Sequence, residues 1–142
     1  MLFRSAFFDE LRHTLPEALL VIFAFHAGEP VAAAICLKGG DTLYGRHWGS
    51  EQEFHSLHFE ACYYQGIEYC IRNGLKHFNP GTQGEHKISR GFEPTYTYST
   101  HWLAHREFHA AIDEYLRREQ HQVAAYFHET EEHLPFHETP EP

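Results

Sequence analysis

Positive charge is scarce in this chain: 11 Lys and Arg stand against 20 Asp and Glu, a formal net charge of −9 over 142 residues. That balance excludes a generic duplex-binding surface, which needs clustered cations to release counterions. Cysteine is scarce too, with three residues (Cys36, Cys62 and Cys70) and no CxxC pair. An odd, scattered set excludes a disulfide scaffold and reads as a reduced, cytoplasmic chain. Long apolar runs are missing. The longest, Ala18 to Phe25, is strand-sized, far short of the roughly 20 residues a membrane helix needs. Met1-Leu2-Phe3-Arg4 lacks the apolar core and small-residue cleavage site of a secretion signal. There is no GxSxG elbow, no P-loop and no GxGxxG, so the common signatures of serine hydrolases, nucleotide hydrolases and dinucleotide enzymes are all absent. What is abundant is aromatic residues, at 15 %, and histidine, at 14 residues. The aromatic content argues against disorder, and the length suits one compact domain with a real core.

The hydrophobic pattern predicts an α-β-β-β-α-β-loop-β-α order. Phe3, Phe7, Phe8, Leu11 and Leu15 recur at helical spacing over 3–15, and Pro16 stops that helix. Two apolar runs, 19–25 and 31–37, flank Ala27-Gly28-Glu29-Pro30 and read as a hairpin. Their near-continuous apolarity predicts cover on both faces. Thr42 to Trp48 alternates, which would set Tyr44, Arg46 and Trp48 on one face and Leu43, Gly45 and His47 on the other. Residues 57–73 make the clearest helix, with Phe59, Cys62, Tyr63, Ile67, Cys70 and Ile71 as an apolar stripe and Asn73-Gly74 as its stop. Glu60, Tyr64, Glu68 and Arg72 form a second, polar row at i, i+4 steps. A short strand is expected at 76–79, a further strand at 94–103 and a long helix over 106–127. A helix followed by a returning strand implies a parallel pairing in a mixed α/β sheet. We therefore expect one domain over 1–128 and an acidic, proline-containing tail over 129–142 that frays.

The histidines form no strong metal motif. His58-Phe59-Glu60 is an HxE without a following PCxxC. His128-Glu129-Thr130-Glu131-Glu132-His133 is one residue too long for HExxH, and His105 and His109 are spaced for chelation but show no third ligand. Most read as solvated surface residues, and no metal is expected. The segment Asn79 to Phe92 is different. It gathers Gln83, Glu85, His86, Lys87 and Arg90 between Gly84 and Gly91, and it follows a strand, where α/β sheets place ligands. A helical turn there would put Lys87 and Arg90 on one face as an anion cradle; the plain alternative is a solvated polar loop. On the helix, Glu60 and Tyr64 share a face and His58 stands near its start. Glu60 could orient an amine or accept its proton, or belong to an ordinary solvated face. Tyr44 and Arg46 could wall a pocket or simply pack. Cys62 and Cys70, on the apolar stripe, read as core.

Three runs together resemble the FemAB-like branch of the GNAT acyltransferase superfamily, the group labelled peptidoglycan biosynthesis/recognition. They are Leu43-Tyr44-Gly45-Arg46-His47-Trp48-Gly49, then His58 to Tyr69, then Pro80 to Phe92. The resemblance implies an α/β, GNAT-like mixed sheet with flanking helices and transfer of an acyl or aminoacyl group to an amine. It implies a longer architecture of two related domains, of which this chain matches the C-terminal one, so a missing N-terminal domain or a homo-oligomer is an expected partner. On this reading Glu60 and His86 orient the amine or move its proton. Lys87 and Arg90 hold a donor phosphate or acyl carboxylate. Tyr44, Arg46, His58, Tyr64, Gln83 and Glu85 complete the substrate contacts, and Glu60, Tyr64, His86, Lys87 and Arg90 border one cleft. The Q/R-x-x-G-x-G/A loop for acetyl-CoA is absent: Ser50 to Leu57 contains no glycine, so pyrophosphate binding at that helix start is unsupported and no cofactor is assigned. Aminoacyl-tRNA is the donor of Fem-type enzymes, but the net charge gives tRNA no support. Two other readings stay open: a non-catalytic recognition domain for cell-wall peptide or amino-sugar, and an inactive half-domain.

Overall fold

The computed structural model describes residues 5–81 and 84–136. The chain divides into two compact units, Met1–Thr82 and Gln83–Pro142.

The first unit is built on a four-stranded sheet in the order β1-β2-β3-β4, with β1 at Leu19–His26, β2 at Glu29–Gly39, β3 at Thr42–Ser50 and β4 at His77–Asn79. The first three strands pair antiparallel and β4 lies parallel to β3. This is the mixed α/β sheet expected from the hairpins followed by a helical crossover. Two turns are tight. Ala27 and Gly28, with φ of 51° and 90°, close β1 onto β2; both positive values are those of the hairpin turn whose twist suits antiparallel strands. Gly40 (φ 60°) and Asp41 close β2 onto β3. The Asp41 carbonyl then accepts the Lys76 and His77 amides at 2.9 and 3.2 Å, which fixes where β4 enters.

Helix α1, Ser5–Thr14, precedes the sheet, and Phe8 meets the His47 ring edge-on at 5.7 Å. The long helix between β3 and β4 has three parts: α2 at Leu57–Phe59, a π-turn at Glu60–Tyr64, and α3 at Gln65–Asn73. Gly74, at φ 66°, ends it and donates to the Cys70 and Ile71 carbonyls, the closure anticipated from Asn73-Gly74. The core lies between this helix and the sheet. Leu43, Cys36 and Cys70 are buried, with Leu20, Ile22, Tyr69, Leu75 and Phe78 packed around them.

Three details of the first unit depart from the sequence pattern. A bulge in β3 breaks its alternation: Ile35 faces His47 but Cys36 faces Gly45, so Arg46 is the extra residue. Beyond it the phase flips. Trp48, opposite Ala34, joins the face of Leu43 and Gly45, and His47 joins that of Tyr44. The π-turn likewise shifts the helical phase. The buried positions are Ala61, Tyr63, Gly66 and Cys70, whereas Ile71, expected in the stripe, is 75 % exposed. Finally, only one face of the hairpin is sealed. Ala32, Ala34 and Cys36 are buried, but Phe23 and Phe25 are 57 % and 64 % exposed. The apolar run came from residues that suit a pleated strand, not from burial on both sides.

The second unit holds a 3₁₀ helix at Glu85–Arg90 and the helix α4 at Arg106–Glu132. No strand forms over 94–103, against expectation. Strand propensity needs a neighbouring edge to express it, and among the described residues of this unit there is none. Tyr96 instead stacks on Phe127 with ring centres 4.3 Å apart. Helix α4 begins at its cap His105, whose Nδ1 accepts the Phe108 amide at 3.3 Å. It runs past 129 rather than fraying there: Thr130 donates to the Tyr126 carbonyl at 2.7 Å and His133 Nδ1 lies 2.6 Å from the Glu129 carbonyl. Those contacts offset the unfavourable acidic charge at a helix C-terminus.

Candidate functional site

In the first unit, an open cavity of about 340 Å³ lies at one end of the sheet. Its walls are Ala24, Phe25 and His26 from the end of β1, Val31 from β2, Phe54, His55 and Ser56 from the approach to α2, then Leu57, Glu60 and Tyr64. A second bulge shapes it. Ala24 pairs with Ala32 but Phe25 pairs with Pro30, leaving Val31 as the extra residue at the wall. Ser56 holds a left-handed conformation, φ 61°, just before α2. For a residue with a Cβ this is uncommon and mildly strained, a feature that recurs at functional sites.

The π-turn sets the polar side of the cavity. Glu60 and Tyr64 are its two ends, and both line the wall. The amide of Gln65 donates to the Glu60 carbonyl, the i→i+5 bond that defines the turn. The side chain of Gln65 also reaches Glu60: Nε2 donates to Oε1 at 2.8 Å. Among the described residues no lysine or arginine lines the cavity. A carboxylate among Phe25, Phe54, Tyr64 and two imidazoles suits a cationic or amine-bearing group, by charge and by ring faces.

The other predicted residues of this unit are placed elsewhere. His58 is half-buried among rings, edge-on to Trp48 at 5.6 Å and to Phe59 and Tyr63 at 5.4 Å each. Tyr44 and Arg46 are exposed on β3, Arg46 at the bulge, and neither lines the cavity. His26, His55 and Phe54 do line it, yet nothing in their spacing singled them out. They converge because a strand end and a loop meet, which no local pattern encodes.

In the second unit, the 3₁₀ turn carries Glu85, His86, Lys87 and Arg90. With three residues per turn, positions i and i+3 eclipse, so Lys87 and Arg90 start from the same face of the turn. Lys87 is buried. Arg90 folds back on its own turn, donating from Nη1 to the His86 carbonyl at 2.6 Å and to Ser89 Oγ at 3.3 Å, while Ser89 Oγ donates to that carbonyl at 2.9 Å. Gly84 and Gly91 bound the turn at φ 108° and 83°. A Cβ on Gly84 would strike the His86 ring, and one on Gly91 the Phe136 ring. Both glycines are required for their conformation; the His86 and Phe136 rings are exposed side-chain ends that can move aside. Gln83 lies outside the described residues.

Among the described residues no three His, Cys, Asp or Glu side chains gather as a metal site would require. His128 instead faces Glu131 at 3.4 Å. No described helix is long and apolar enough to cross a membrane.

A family model described as FemAB-like, peptidoglycan biosynthesis/recognition, matches residues 2–138. The chain belongs to the FemAB-like family. Neither the curated proteins nor the solved structures contain a match to it. The match spans both units of this FemAB-like chain, from the hairpins through the cavity and the 3₁₀ turn into α4 and beyond. Its family label is peptidoglycan-related, and that label covers biosynthesis and recognition alike.

Proposed function

We propose that this FemAB-like chain is a cytoplasmic N-acyltransferase of peptidoglycan metabolism, passing an acyl or aminoacyl group to a small-molecule or peptide amine. The observation that carries the reading is the cavity of the first unit, where among the described residues one carboxylate, Glu60, stands with aromatic rings and imidazoles and no lysine or arginine. Such a wall attracts an ammonium group and holds a base beside it.

In the proposed step the amine nitrogen attacks the carbonyl carbon of an activated acyl group. A C–N bond forms, the bond to the leaving group breaks, and the proton released from nitrogen passes to the Glu60 carboxylate. His86 is the second candidate for that proton. The roles of Lys87 and Arg90 are to hold an anionic group of the donor, a phosphate or a carboxylate, by charge-assisted hydrogen bonds. Tyr64 borders the acceptor, with Tyr44, Arg46, His58, Gln83 and Glu85 as further substrate contacts. The donor itself is unassigned: the chain offers no acetyl-CoA loop at Ser50 to Leu57.

The family label names recognition as well as biosynthesis, so a binding domain for cell-wall peptide or amino-sugar is the second reading. One experiment separates the two. The chain is incubated with a muropeptide bearing a primary amine and with acetyl-CoA or aminoacyl-tRNA, and the product is followed by mass spectrometry. Muropeptide binding is measured in parallel by calorimetry. For an enzyme, Glu60→Gln lowers turnover of bound substrate by about 10²- to 10⁴-fold, the usual contribution of a general base, a loss larger than the one it causes in muropeptide binding. Binding without turnover under every donor supports the recognition reading and overturns the transferase.

A further inference from the structure

We infer that Gln65 is the positioning residue for Glu60, and that the π-turn between them serves to bring the two side chains together. The inference rests on the reading of Glu60 as the group that meets the acceptor amine.

The reason is geometric. In an α-helix, residues five apart are rotated by about 140° about the axis and face away from each other. The partner of a helical Glu is expected at i+3 or i+4, and that is the pattern elsewhere in this chain: Glu68 with Arg72, Asp113 with Arg117 and Glu114 with Arg118. Glu60 does otherwise. Its carboxylate accepts from Gln65 at i+5, at 2.8 Å, and its carbonyl accepts from the backbone amide of the same residue. Only the wider turn allows both. A π-turn inserts a residue into the hydrogen-bond ladder and is seldom kept without a local use. Here the turn opens at Glu60 and ends at Tyr64, the two helical residues of its span that line the cavity.

The chemistry fits a positioning role. Glu60 is exposed, and an exposed Glu explores many rotamers unless something holds it. A neutral amide donor on one carboxylate oxygen orients the group and leaves its charge in place for an ammonium partner, whereas a Lys or Arg there would cancel that charge. Gln65 is half-buried, beside the buried Gly66, so its own side chain has less freedom to lose. Truncating it removes the side-chain bond while leaving the backbone bond of the π-turn, so Gln65→Ala is expected to fold.

Two measurements test this on the intact chain. In ¹⁵N-labelled protein, one of the two Gln65 side-chain amide protons should be shifted downfield of the position usual for a solvated Gln by its bond to the carboxylate, and Glu60→Ala should return it to that position. Methylammonium, titrated as a probe of the cavity and followed by the shifts of Glu60 and Tyr64, should bind about threefold to tenfold more weakly to Gln65→Ala, the fold-change of one lost hydrogen bond. In a Glu60→Gln background the same truncation should have no effect on methylammonium, because a positioning residue acts only through its target. Gln65→Asn, one methylene too short, should behave like Gln65→Ala. An unshifted amide signal overturns the inference. So does a methylammonium affinity that Gln65→Ala leaves unchanged, or one that it lowers equally with and without the Glu60 carboxylate. None of these readouts requires turnover, so absence of transferase activity defeats the proposed reaction without touching this result.

Discussion

Cys36 is nearly out of contact with water, in the core between β2 and α3. Burial, and secondarily the neighbouring Cys70, push its thiol up to about 11, and burial raises Cys70 as well. The sign for stability follows. Folding holds the proton on Cys36 more tightly than the unfolded chain does, so the contribution is complete below about 9, the thiol's ordinary value, and is lost as pH rises towards about 11. Urea midpoints measured between these two limits should fall with pH, and Cys36→Ala should flatten that fall while lowering the midpoint throughout, since it also leaves a cavity. A thiol reagent at pH 8 should modify the half-buried Cys62 first, with Cys36 and Cys70 reacting on unfolding. The place of Cys70 in the core was readable from the apolar stripe of its helix, whereas Cys62, read as core from the same stripe, is half-buried. The contacts of Glu60 were not readable, because its partner sits five residues away, outside any helical rule.

The three-part helix shows how one element can be right in outline and wrong in phase. Its limits, 57 to 73, follow from hydrophobic spacing and from Asn73-Gly74. Its buried face does not, because an inserted turn rotates everything before it relative to everything after. Gly66 reports the consequence. A Cβ there would lie 2.5 Å from Phe78 Cζ and 2.6 Å from Cε1. At a solvent-facing helical site Gly→Ala gains about 1 kcal/mol. Here overpacking costs about 1–3 kcal/mol, so Gly66→Ala should not gain that stability and should instead cost up to about 2 kcal/mol overall. Urea denaturation checks it, and the paired change Gly66→Ala with Phe78→Leu should recover part of the loss. The strand β3 holds the same lesson in another form, since the bulge at Arg46 carries Trp48 to the core face and into contact with His58. A bulge is set by the two strands jointly and leaves no mark on either sequence alone.

At the scale of the whole molecule, a charge of −9 favours solubility, yet β1 lies at the sheet edge with Phe23 and Phe25 exposed and 6.2 Å apart. An uncharged, apolar edge strand is a surface that chains pair through. Light scattering should show mass rising with concentration, and Phe23→Lys should shift the chain back towards monomer; a monomer that persists at high concentration would count against this. What the chain determined by itself was the local order: three strands joined by glycine turns, the crossover helix, the short parallel strand and the glycine-bounded basic turn. Periodicity and turn chemistry act over a few residues and need no partner. Three things were decided by tertiary structure alone. They are the phase shifts at Arg46 and at the π-turn, the absence of a strand over 94–103, and the meeting of His26, Phe54, His55, Glu60 and Tyr64 around one cavity. Each depends on which distant segment comes to lie alongside, and the free energy that settles it comes from packing and backbone pairing between segments, which no stretch of the chain holds on its own.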